Sequence, residues 1–269
     1  KGEIRDLETN KPIPYVNIWV ENESIGTTSE IDGSFTLAIK EEKKLVFSAM
    51  GYETQTISSK NNIIKLKPIV YELEEVVVSN LKNTRKLKIG NAEKSRARHL
   101  SGNKPWIYGK LFEYDTIYKK TPYLKEIIFY THSEIKDAKI KLRIFHFKDS
   151  LPTHDMIDED LVVTVKKGNR KNVLDVSKYK INFPKTGIVI GIEWLIIEEN
   201  KYQFTYFDPK KNTKISNDNY APDLVINYSK TENSFHYRGK WYKQKKFKTK
   251  VNDHEDNVLT PAINLVLTN

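Results

Sequence analysis

The sequence predicts an all-β protein, a small β-sandwich followed by a larger, jelly-roll-like β-sandwich. Three observations carry this. Apolar residues recur at every second position along most of the chain, the period of a strand with one buried face. Segments of helical period are nearly absent. Gly, Pro, Asn and Asp punctuate the alternating runs at the intervals of short strands joined by tight turns.

In the first part, Val16, Ile18 and Val20 share one strand face, and Tyr15, Asn17 and Trp19 share the other. Phe35, Leu37 and Ile39 repeat the pattern, followed by Leu45, Phe47 and Ala49, then Ile64 and Leu66. Asp32-Gly33 supplies the positive φ that a tight hairpin requires. Six or seven short strands are expected before residue 80. From Asn80 to about Lys104 the chain is polar, basic and poor in aromatics, which reads as a linker in which Asn91–Leu100 could form a short helix. Alternation then resumes with longer strands: Trp106–Tyr114, Lys125–His132, Lys139–Phe147, Leu161–Val165, Ile188–Ile197, Tyr202–Phe207, Leu224–Tyr228, Phe235–Tyr242 and Ile263–Leu267. Ile188–Ile197 is apolar on both faces and so is expected in the middle of the sandwich. Phe235–Tyr242 sets Phe235, Tyr237 and Trp241 against a basic face of His236, Arg238 and Lys240.

Charge divides the chain at the same place. The 269 residues carry a net charge of +10, yet residues 1–79 hold 9 Lys/Arg against 13 Asp/Glu. Between Asn80 and Lys125, 12 basic residues face 3 acidic ones. The sign change predicts a first module over 1–79, a basic linker over 80–104 and a second module over 105–269. Absence of Cys excludes disulfide scaffolds, thiolate metal sites and cysteine nucleophiles. No apolar run reaches the length of a membrane-spanning helix. The chain opens at Lys1-Gly2-Glu3-Ile4, inside an expected strand, as a processed chain would.

Several ordered motifs of the first module resemble the carboxypeptidase regulatory-like domain. They are Gly2-Glu3-Ile4-Arg5-Asp6, Pro12-Ile13-Pro14-Tyr15-Val16-Asn17-Ile18, Gly26-Thr27-Thr28-Ser29-Glu30-Ile31-Asp32-Gly33-Ser34-Phe35 and Phe47-Ser48-Ala49-Met50-Gly51-Tyr52, closed by Leu73-Glu74-Glu75-Val76-Val77-Val78. The resemblance implies a prealbumin-like β-sandwich, an accessory without a protease site, common in bacterial cell-envelope proteins and often found ahead of TonB-dependent receptors. The remainder is loosely similar to the sandwich that follows this domain in stand-alone envelope proteins, through Thr121-Pro122-Tyr123-Leu124, Val173–Ile181 and Phe183–Leu195. Asp6 is expected to cap a turn, and Phe35 and Tyr52 to fill the core.

The search for chemistry returns few candidates. None of the six His residues is followed three positions later by Glu, so the opening of the zinc carboxypeptidase ligand set is missing. His-Glu-x-x-His, Gly-x-Ser-x-Gly and phosphate-cradling glycine loops are missing too. His146, His154, Asp155, Asp158 and Asp160 could hold a divalent cation, although their spacing matches no established cage and a polar loop is favoured. Glu30-Ile31-Asp32-Gly33 reads as a hairpin rather than a calcium loop. Glu193, inside an apolar strand, could be a general acid or, more simply, the partner of a neighbouring strand or an Arg. Leu73–Val78 could add a strand to a partner, but is favoured as a strand within the domain. Basic segments at Lys82–Arg98 and Lys240–Lys250 are expected to face a protein or a lipid headgroup rather than nucleic acid.

The expectation is therefore a non-catalytic protein of the periplasm or outer-membrane periphery, with no catalytic, cofactor or metal residues assigned. It would be an accessory or adaptor subunit of an outer-membrane assembly, of the TonB-dependent transport or type 9 secretion and gliding kind, acting through protein–protein contacts, with anionic lipid headgroups as a further partner. Two alternatives stand beside it. A carbohydrate-binding module would show Trp106, Tyr108 or Trp241 in an exposed coplanar row. A metal-dependent enzyme on a jelly-roll scaffold would bring His146, His154 and Asp155 together.

Overall fold

The computed structural model describes residues 1–69, 82–247 and 256–269, so the expected strand Leu73–Val78 lies outside the described residues. The first module contains β1 (Gly2–Asp6), β2 (Asn17–Val20), β3 (Gly26–Thr28), β4 (Ser34–Phe35), β5 (Lys44–Ser48), β6 (Gln55–Ser58) and β7 (Ile63–Leu66). They form two sheets, β4-β1-β7 and β3-β2-β5-β6, with β1 and β7 parallel. Between them Ile4, Val16, Ile18, Phe35, Phe47 and Leu66 make a closed core. The turn chemistry read from sequence is in place. Asp6 accepts the backbone N–H groups of Glu8 and Thr9 at 2.9 and 2.6 Å, and these bonds hold its carboxyl below the usual range. Gly33 has φ +77°, and a Cβ there would sit 2.6 Å from the Ile4 carbonyl oxygen.

The second module contains β8 (Lys86–Ile89), β9 (Arg98–His99), β10 (Ile107–Phe112), β11 (Tyr123–Ser133), β12 (Ala138–Lys148), β13 (Leu151–Asp155), β14 (Leu161–Val165), β15 (Gly168–Asp175) and β16 (Ile188–Trp194). It continues with β17 (Lys201–Asp208), β18 (Thr213–Tyr220), β19 (Asp223–Ser229), β20 (Ser234–Tyr237), β21 (Trp241–Lys243), β22 (Val258–Pro261) and β23 (Ile263–Thr268). One sheet runs β13-β12-β16-β10-β20-β21, with β14 also on β12. The other runs β22-β19-β11-β23-β8, with β15 on β11 and β9 on β19. The chain passes repeatedly from one sheet to the other, as a jelly-roll connection requires. Phe129, Leu142, Ile190, Leu224 and Leu265 are fully buried between them.

Each of the nine strands expected beyond Pro105 is present, with one change of form. Phe235–Tyr242 is a hairpin rather than a single strand, because Gly239 turns the chain at φ +76°. The segment read as a linker contains β8, paired with β23, and β9, paired with β19. Residues 91–97 between them are irregular rather than helical. No helix among the described residues is long and apolar enough to cross a membrane.

The two sandwiches share a buried face. Trp19 is fully buried, but it packs outside the core of its own module, with Val46 and with Ile107, Leu111, Phe145, Val189, Phe235 and Tyr237 of the second. The sheet containing β12, β16 and β10 is thus covered on both sides, as the apolar faces of Ile188–Ile197 demanded. Truncating Trp19 would open a cavity in this seam. Trp19→Ala is expected to destabilise the chain by about 3–5 kcal/mol, measured as a lowered midpoint in urea unfolding.

Candidate functional site

The polar centre of the molecule lies in this seam. Alternation on β12 sends Ile140, Leu142 and Ile144 into the second core, and Lys141 and Arg143 to the opposite face. Register then sets Lys141 beside Glu193 and Arg143 beside Gly191 on β16. Glu193 and Lys141 are both at 0% exposure and Arg143 is at 4%. The Glu193 carboxylate lies 3.6 Å from the Arg143 guanidinium and 3.9 Å from the Lys141 ammonium. Its Oε1 accepts a hydrogen bond of 2.7 Å from the side-chain amide of Asn17, which also donates to the Pro105 carbonyl. Lys141 donates to the Tyr15 carbonyl at 2.8 Å and to Asp160 at 3.2 Å. Arg143 forms a two-pronged pair with Asp155. Burial opposes its charge, but the carboxylates of Asp155 and Glu193 outweigh that and hold the guanidinium firmly protonated.

Charges this deep persist only when paired and hydrogen-bonded. First-module backbone and side chains supply part of that pairing. Around the network Thr28 Oγ1 accepts from the Ile196 N–H, and Glu30 from the Glu198 N–H, each at 3.0 Å. Tyr237 is buried at the seam, which pushes its phenol up to about 12.

Glu193 is therefore the partner of an Arg, a Lys and an Asn, the simpler of its two sequence readings. The five residues of the suspected cation cluster are divided. His146 and His154 do meet, with ring centroids 4.5 Å apart. Asp155 instead turns to Arg143 and Asp160 to Lys141, while the Asp158 backbone abuts Gly51 of the first module. Among the described residues, no three His or carboxylate side chains stand close enough to hold a metal ion. Glu30–Gly33 is a hairpin turn, with Asp32 accepting the Ser34 N–H.

Lys141 and Arg143 escape a reading of the sequence because a charged face alternating with an apolar one reads as solvent-facing, and Asn17 because nothing local shows what the Tyr15–Trp19 face meets. The available signal was the pairing of that strand's charges with the isolated Glu193.

A second constellation borders the seam. His99 is packed against Trp106, Tyr108 and Trp194, at centroid distances of 5.5, 5.3 and 5.2 Å. His236 lies between Trp106 and Tyr242, and the Arg238 guanidinium sits 4.6 Å from the Trp106 centroid and 2.9 Å from His236 Nε2. Desolvation first, then the Arg238 charge, depresses His236 to about 4, so it is a neutral acceptor at physiological pH. Trp106, Tyr108 and Trp241 form no exposed row. Tyr108 is buried, and Trp241 packs edge-on against Phe145 and Tyr237. Beside Arg238, an open groove of about 440 Å³ separates the β20–β21 turn from the β2–β3 turn, with Lys240 and Tyr242 on one wall and Glu21 and Glu23 on the other. Its walls can take a polar or charged segment.

Two pH responses follow. The unfolded chain binds a proton at His236 near pH 6.5, whereas the folded chain resists until about 4. Stability therefore falls as pH drops from 6.5 to 4, and His236→Phe is expected to flatten that part of the stability profile. Lys110, 4% exposed and donating to the Ile263 carbonyl at 2.9 Å, is lowered by desolvation from 10.5 to about 8. Folding prefers its neutral form, so stability should rise between pH 8 and 10; Lys110→Met should abolish that rise in urea unfolding across the same range.

Substituting Glu193 tests the seam itself. Glu193→Ala leaves Lys141 and Arg143 buried with a carboxylate missing, and a loss of about 3–5 kcal/mol is expected in chemical unfolding.

No curated protein matches this chain. Residues 1–78, the first module with its β3-β2-β5-β6 sheet turned to the seam, match the family model of the CarboxypepD_reg-like domain, a prealbumin-like β-sandwich.

Proposed function

We propose that the chain is a non-catalytic accessory subunit of an outer-membrane assembly in a bacterial cell envelope, working through protein contacts in the periplasm or at the outer-membrane periphery. TonB-dependent transport and the type 9 secretion and gliding apparatus are the assemblies in view. The observation that carries the reading is the use made of the buried ionisable groups. Lys141, Arg143, Asp155 and Glu193, the groups best placed for chemistry by burial, are tied to one another and to the first module. Held this way, the two sandwiches act as one rigid block that presents surfaces. The match of residues 1–78 to a regulatory-like domain supports the same reading.

Cross-linking in native membranes followed by affinity purification tests it. The expected result is recovery of the chain with a defined envelope protein complex. Quantitative recovery as a lone, uncross-linked monomer would count against the reading.

A further inference from the structure

The hairpin of β17 and β18 stands apart from both sandwiches. It is a two-stranded sheet of its own, and among the described residues no other strand pairs with either of its edges. Its base is firmly held. Asn200, fully buried, hydrogen-bonds the backbone of Lys139 and Leu195, while Lys201 pairs with Asp218 at 3.1 Å. Tyr202 and Tyr220 rest on the second core. From Tyr202 to Asp208 the strand extends for roughly 20 Å, at about 3.3 Å per residue, and its Phe204–Tyr206 face borders an open groove over Leu100, Gly102 and Asn103.

The outer half combines two features. Phe204, Tyr206 and Phe207 are 41%, 42% and 56% exposed. Pairing puts Phe204 and Tyr206 opposite Asn217 and Ile215 on one face, and Phe207 opposite Lys214 on the other. At the tip, Asp208 accepts the backbone N–H of Lys210 at 2.9 Å, which fixes the turn. Among the described residues no carboxylate pairs with Lys210, Lys211 or Lys214, so the tip carries three uncompensated positive charges within five residues.

We propose that this ribbon is a membrane-surface anchor whose tip seats in the headgroup region of an anionic lipid bilayer; the proposal rests on reading the chain as an envelope protein. Phe207, with Lys214 opposite it and Lys210 and Lys211 in the turn beyond, sets an exposed aromatic side chain beside positive charge, the combination an anionic headgroup layer takes up. The three lysines add attraction to lipid phosphates, the second signal that stable interfacial binding needs beside apolar insertion. Depth is limited by the open strand edges, whose N–H and C=O groups would be unsatisfied in hydrocarbon. The tip therefore enters the interface and stops there.

Vesicle sedimentation of the full chain tests this, comparing equimolar phosphatidylglycerol–phosphatidylcholine with phosphatidylcholine alone. The chain should pellet with the anionic vesicles and be released by high salt. Lys210→Ala with Lys211→Ala should weaken partitioning roughly thirtyfold, at about 1 kcal/mol per lysine. Tyr206→Ser with Phe207→Ser should also weaken it, and both variants should keep the parent melting temperature, since the changed side chains are exposed. Phe207→Trp should gain a blue-shifted emission component on adding anionic vesicles. Failure to bind anionic vesicles, or binding untouched by the tip substitutions, would overturn the proposal. The assay contains no protein partner, so a negative result leaves the co-purification reading standing. A tip that cross-links to protein yet binds no vesicle would overturn lipid anchoring alone.

Discussion

The molecule depends on one constraint: two carboxylates, Glu193 and Asp155, and two cations, Lys141 and Arg143, buried where the two sandwiches meet, must be neutralised by one another. Glu193 between Lys141 and Arg143 would be intolerable in an apolar seam if any member were missing, because desolvation of an unpaired charge exceeds what packing around it returns. Asn17 completes the set from the first module. The requirement fixes register within the second module's sheet, since a one-residue slip of β12 against β16 would turn Lys141 and Arg143 into the core of Ile140, Leu142 and Ile144. Polar pairing thereby adds specificity to an interface whose bulk, around Trp19 and Phe145, is apolar.

The seam also explains why the reactive-looking residues of the sequence do not assemble into a reactive site. Asp155 and Asp160 are drawn inward by Arg143 and Lys141, and His146 and His154 are left as a pair of rings at the end of the same sheet. The aromatic group around His99 and His236 acts similarly, holding the β20–β21 hairpin against β10 through stacking and the Arg238 guanidinium.

Much of the fold was legible because strand period and turn residues are local signals. Val16, Ile18 and Val20 announced a buried face, Asp32-Gly33 a hairpin, and Ile188–Ile197 a strand covered on both sides. Strands with little apolar content escaped detection: β15 and β18 are largely polar and exposed, and their pairing is set by neighbours rather than by their own residues. The segment over 80–104 looked like a linker because β8 and β9 are short and basic, and only the edges of β23 and β19 make them strands. The seam was hidden for a different reason. Tyr15, Asn17 and Trp19 read as one face of a strand, but nothing local tells whether that face meets water or a second sandwich. Long-range complementarity between Asn17 and a glutamate far along the chain leaves no trace in either segment alone.

That separation governs how the chain can be made. Asn17 and Glu193 stand 176 positions apart, so a first module that folds ahead of the second must wait with Trp19 and Val46 uncovered until β16 is in place. β23 fits between β11 and β8 in the middle of its sheet, so that sheet closes only once residues 263–268 have joined it. A partly folded chain in this interval carries a sticky apolar face, and shielding it until the seam forms is a task for a holding chaperone.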